Sequence, residues 1–139
     1  MTQPRPPAHF WAVGLLSLLW NVWGAYIALS AQSGSLPNLR AEDEAYFTSQ
    51  PLWFVIIADA ALVAGIAGAI ALLLRHRVAV RLYAAELAIL ILGNLYEIAL
   101  GRSPILDSSA SLTGSLVLFA VMALQAVYAA RMQRRGLLE

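Results

Sequence analysis

Three carboxylates stand where the sequence is otherwise almost wholly apolar. They are Asp59, Glu86 and Glu97, all within residues 52–100. An ionisable group inside a membrane-spanning run is costly to bury and by default marks a proton, ion or ligand site. Glu86 and Glu97 are eleven residues apart, which is about 20° on a helical wheel. Tyr83, Leu90, Gly93 and Asn94 share that face. Asn21 and Gln125 are amides in two further apolar runs, and no Lys or Arg lies at the depth of Asp59 or Glu86 to pair them. The chemistry these types offer is the binding and release of protons or cations, with Asn21, Asn94 and Gln125 as hydrogen-bonding partners. For two of them a plainer reading stands beside this one. Glu97 lies close enough to its segment's end to be a wet interfacial side chain, and Asn21 suits a hydrogen bond that only ties helices together.

The elements that must position these groups follow from composition. The chain has 139 residues, 60% apolar and only 12% charged, where soluble domains carry about 25% charged residues. Four runs, residues 10–31, 52–74, 78–100 and 112–130, are long and apolar enough to be transmembrane helices. The expectation is an all-α, integral membrane four-helix bundle forming a single transmembrane domain over residues 1–139. A soluble bundle would need polar outer faces, and the first and last runs contain no charged residue at all. The first run exceeds the apolar core of a signal peptide and carries three tryptophans, so it reads as a retained helix. Runs two and three are joined by the basic turn Arg75-His76-Arg77 and form a hairpin. A short surface helix is expected over residues 42–47, ended before Pro51. Asp107, Ser108 and Ser109 are N-cap candidates for the last helix.

Basic residues set the orientation. With both termini and the Arg75–Arg77 turn in the cytoplasm, Arg5, Arg75, Arg77, Arg81, Arg131, Arg134 and Arg135 lie inside, and only Arg40 and Arg102 lie outside. That asymmetry is the positive-inside pattern. Trp11 and Trp53 fall at helix starts, where indole rings favour the membrane interface. Small residues mark close helix contacts: Gly14 and Gly24 in the first helix, and Gly65 and Gly68 with Ala61, Ala64 and Ala71 in the second. Asp59 lies on the wheel opposite Gly68, so the second helix has two working faces. Depth along the helices predicts two polar layers, Asp59 with Asn94 and Asn21 in the outer one and Glu86 with Gln125 in the inner one.

Several chemistries are excluded. There is no cysteine, which removes thiol redox. His9 and His76 both sit at helix ends, so no histidine pair can hold a haem inside the bundle. There is no HExxH, no GxSxG, no P-loop and no glycine-rich nucleotide fingerprint. The expectation is a non-enzyme with no cofactor, no metal and no nucleic-acid partner.

Leu18-Leu19-Trp20-Asn21-Val22-Trp23-Gly24, then Glu44-Ala45-Tyr46-Phe47, then Pro51-Leu52-Trp53 resemble a family of small bacterial inner-membrane proteins with four helices, often labelled hypothetical protein or putative sugar transporter. The likeness covers about half the chain. It implies a multi-pass protein of a bacterial inner membrane. The family carries an acid and a tyrosine after the helix-one glycine, whereas this chain reads Gly24-Ala25-Tyr26-Ile27-Ala28 and lacks the acid. Two functions fit the residues. One is a proton- or cation-coupled transporter or permeation unit for a small solute. The other is a non-catalytic accessory subunit of a larger membrane complex. Membrane lipid and either a second copy or a larger membrane protein are the expected partners.

Overall fold

The computed structural model describes residues 6–38, 40–101, 103 and 109–139. Helix α1 runs over Ala8–Gln32, α2 over Ala41–Thr48, α3 over Leu52–Leu73, α4 over Val78–Ala99 and α5 over Ser109–Arg134. The structure is 81% helix, without a strand among the described residues. Four of the helices, α1, α3, α4 and most of α5, are long and apolar enough to cross a membrane. Their outward faces are apolar too. Leu15, Leu16, Leu19, Ile56, Val63, Leu92, Leu116 and Leu124 are all exposed. A water-soluble protein rarely exposes so continuous an apolar surface.

The helices start and stop where backbone chemistry requires. Pro7 and Pro51 stand in extended conformation immediately before α1 and α3, because proline cannot supply an interior helix hydrogen bond. At the other ends the backbone closes into Schellman motifs, in which a left-handed residue lets the last carbonyls accept hydrogen bonds. Gly34 takes that position after α1, with Ser35 N–H donating to Ser30 C=O at 2.9 Å. Gly136 takes it after α5, with Leu137 N–H donating to Met132 C=O at 3.0 Å. Gly101 has the same left-handed conformation after α4. After α3 the residue is Arg75, at φ 61°, with His76 N–H donating to Ala71 C=O at 2.8 Å. A side chain in this region costs about 1–2 kcal/mol. The C-terminal tail offsets that strain. Arg75 Nε donates to Leu137 C=O at 3.1 Å, Arg77 N–H donates to Glu139 C=O at 2.7 Å, and Glu139 N–H donates to Arg75 C=O at 2.7 Å.

Helix α3 packs closely on both α4 and α1, and α4 packs on α5. Its two neighbours account for its two faces. The bundle closes between α1 and α5 through side chains: Asn21 reaches Gln125, and the His9 ring stands edge-on to Tyr128 at 6.3 Å. The packed core lies at the end holding the α3–α4 turn. Phe10, Ala69, Leu72, Ala79, Tyr83, Ala129, Met132, Leu137 and Leu138 form one buried cluster there. The opposite end is hollow.

The observed helices match the expected runs within a few residues, except that α5 begins at Ser109 and continues to Arg134. Arg5, Arg102, Asp107 and Ser108 lie outside the described residues.

Candidate functional site

A cavity of about 360 Å³ occupies the hollow end, walled by all five helices. Its existence follows from side-chain shape. At the turn end, Ala69, Ala71, Ala79 and Ala129 let the helices approach, and Phe10, Leu72 and Tyr83 fill what space remains. Further along, bulky aromatics stand round the wall and leave the space between them open. They are Trp20 and Trp23 of α1, Tyr46 and Phe47 of α2, and Phe54 of α3.

Two of the three predicted carboxylates line this cavity. Glu86 is 2% exposed and Glu97 3% exposed. In each, Oε2 is buried and has no hydrogen-bond partner. No Lys, Arg or His is among the described lining residues. Asn21 and Asn94 also line it. Glu86 sits at the deep end, next to the packed core. Glu97 sits near α2, whose Tyr46 interacts with it. The Tyr46 hydroxyl is pushed up to about 12, first by burial, then by the charge of Glu97 and a hydrogen bond to it.

The deep end depends on Gly65. A Cβ placed there would run into both Asn21 Oδ1 and Glu86 Oε1. The missing side chain is what allows an α1 amide and an α4 carboxylate to converge against α3. Asn21 is then held by its Nδ2, which donates to Ser17 C=O at 2.8 Å and to Gln125 Oε1 at 3.3 Å. The buried Tyr83 hydroxyl makes no hydrogen bond.

This arrangement corrects the expected polar layers. Asp59 is not joined to Asn94 or Asn21. Its Oδ1 accepts from Gln32 Nε2 at 3.0 Å, and it does not line the cavity. The reason is angular: Asp59 projects from the α3 face turned towards the end of α1. Asn94 turns its amide inward, donating to Leu90 C=O of its own helix at 2.8 Å. Asn21, not Glu86, is the partner of Gln125. Gln125 faces a second groove, between α1 and α5, lined by Val13, Leu16, Trp20, Val121, Leu124 and Arg131.

The predicted packing glycines divide similarly. Gly14 is buried against Leu73, and Gly68 against Tyr83 and Leu82. Gly24 is exposed on the cavity wall, where a Cβ would meet nothing within 4 Å. Gly24 therefore makes no close helix contact within the chain.

Gln32, Tyr46, Phe47 and Tyr83 belong to this architecture, but pattern reasoning on the sequence did not assign them to it. Tyr83 had a signal, since it shares the Glu86 face. Gln32 and the α2 aromatics Tyr46 and Phe47 come over the cavity only through the path of the loop after α1. At the α2 start, Arg40 clasps Asp43 with Nε to Oδ2 at 2.8 Å and Nη2 to Oδ1 at 3.0 Å. That hydrogen bond, more than simple attraction, holds Asp43 below the usual carboxylate range. Exposed as it is, the pair adds little to stability.

Among the described residues, no three His, Asp or Glu side chains converge so as to hold a metal ion. No protein-family model, curated protein or solved structure matches the chain.

Proposed function

We propose that the chain is a four-span protein of a bacterial inner membrane that binds small organic cations in this cavity and carries them across in exchange for protons. The observation that carries the reading is the pair Glu86 and Glu97, each almost fully buried, each with an unpartnered oxygen, lining one cavity with no base on its described wall. A buried carboxylate without a counter-charge is costly. A cationic ligand supplies the missing charge. The aromatic walls add cation–π attraction. A proton and a cation compete for the same carboxylate, and that competition is the basis of coupling.

The membrane setting rests on the four apolar spans and their apolar exteriors. Aromatic groups near the helix ends fit the two interfaces. Trp53 stands edge-on to Tyr96 at 5.2 Å at one end, and Trp11 lies at the other. Both termini and the Arg75–Arg77 turn face the cytoplasm in this reading, with α2 outside. The cavity then reaches from mid-bilayer towards the outer face, and the packed core closes the cytoplasmic side.

The test is uptake of a radiolabelled quaternary ammonium cation into proteoliposomes under an imposed pH gradient. Uptake should depend on the gradient and be lost in Glu86→Gln. Asp59→Asn, which lies off the cavity, should retain it. Uptake no greater than in empty liposomes, or uptake undiminished in Glu86→Gln, would refute the reading. A second reading, an accessory subunit, draws on the groove between α1 and α5, which are not among the closely packed helix pairs. Co-purification with a stoichiometric large membrane protein would favour it.

A further inference from the structure

The cavity contains two separate anionic points. Glu86 and Glu97 lie on one face of α4, eleven residues apart, so about 16 Å separates them along the helix axis. Both are more than nine-tenths buried, and each keeps an oxygen without a partner. The wall between them is mostly apolar: Ile89, Leu90 and Gly93 of α4, with Phe54 3.8 Å from where a Gly93 Cβ would stand, and Asn94 as the polar group, its Nδ2 bonded to Leu90 C=O. The third acid is already bonded to Gln32 and stands outside the cavity. A ligand with a single positive charge can pair only one of the two carboxylates. The other must then hold a proton or remain buried and uncompensated, and the second state is costly.

We infer that the preferred ligand is an elongated dication with a cationic nitrogen at each end and an apolar linker that spans the distance from Glu86 to Glu97. This rests on the cation-binding reading above and narrows it. One nitrogen pairs with Glu86 beside Asn21. The other pairs with Glu97 beneath Tyr46, and the linker lies along the apolar wall. A linker of about ten to twelve methylenes fits a separation of ~16 Å.

The experiment is a chain-length series on the intact protein in lipid nanodiscs. The probes are α,ω-diaminoalkanes from six to sixteen carbons and the matching n-alkylamines. Binding is read by quenching of tryptophan fluorescence, since Trp20 and Trp23 line the cavity. Diamine affinity should peak at about ten to twelve carbons, and there exceed the monoamine of equal length by about tenfold or more, as a second charge-assisted contact warrants. Glu97→Gln should abolish the diamine's advantage, so that diamine and monoamine of equal length bind alike. The wild-type length series decides the matter even if a variant folds poorly. Affinity that only climbs with chain length, or that is equal for diamine and monoamine, overturns the dication inference. If monoamines still bind through Glu86 and are transported, cation transport stands without it. If no amine binds and no cation is transported, the underlying reading fails as well.

Discussion

Gly65→Ala isolates the convergence on which the site depends. The added methyl must occupy space now held by Asn21 Oδ1 and Glu86 Oε1, with Glu86 Cδ 2.7 Å away. Both side chains are buried, so neither can swing freely into solvent. Overpacking of this kind costs about 1–3 kcal/mol. Displacing Asn21 also breaks its 3.3 Å bond to Gln125, a further ~0.5–1.5 kcal/mol. Against this, alanine gains up to ~1 kcal/mol over glycine in helix propensity. The net expectation is a loss of about 1–3 kcal/mol, accompanied by loss of cation binding. Two other glycines calibrate it. At Gly24 a Cβ meets nothing, so Gly24→Ala should be neutral or stabilising by up to ~1 kcal/mol. At Gly68 a Cβ comes 3.2 Å from the Tyr83 ring, and Gly68→Ala should fall between the two. Reversible unfolding of the three variants in detergent gives the ranking. If Gly65→Ala is as stable as Gly24→Ala, Asn21 and Glu86 do not converge on that glycine and the description of the deep end is wrong.

Other outcomes follow from the same geometry. A Ser33→Cys variant, in a chain without native cysteine, should be labelled by an impermeant thiol reagent from outside; labelling from the cytoplasmic side alone would invert the topology. Arg75→Gly relieves the left-handed strain that Arg75→Ala retains, so the glycine variant should be the more stable of the two by about 1–2 kcal/mol; equal unfolding midpoints would refute that. The Tyr46 hydroxyl, raised from 10 to about 12, favours the folded state fully below pH 10, and that contribution is lost as pH rises through about 12. The ultraviolet titration of Tyr46→Phe should accordingly lack a phenolate that forms near pH 12; a missing component near pH 10 would mean that Tyr46 is not buried against Glu97.

The parts that could be read from the sequence are those governed by period and by chain length. Eleven residues on one helix face put Glu86 and Glu97 together whatever the tertiary fold, and the structure places both on one cavity. Runs of apolar residues bounded by Pro7, Gly34, Pro51, Gly101 and Gly136 give the helices. Partner identity was less accessible, because it depends on rotation and tilt. Depth alone paired Glu86 with Gln125, yet Asn21 intervenes because Gly65 opens a path between α1 and α4. Asp59 had no spacing that singled out Gln32, a residue at the very end of the preceding long helix. The left-handed Arg75 was equally hidden. Its position is specified by a tail more than sixty residues later in the chain, at Leu137 and Glu139.

The contrast between a packed end and a hollow end has a cause in the connections. Helices α3 and α4 are joined by only four residues, 74–77, and the C-terminal tail is bonded across that turn. Short connections and small residues force the helices together there, and the core cluster forms where the chain has least freedom. At the other end α1 reaches α3 through residues 33–51, with α2 interposed. That length lets the helices splay around Trp20, Trp23 and Phe54 instead of closing on them. Glu86 sits at the boundary between these two regimes, beside Tyr83 of the core and facing the cavity. On the proposed cation-binding reading, a ligand charge at Glu86 would act at the point where the closed half of the bundle meets the open half.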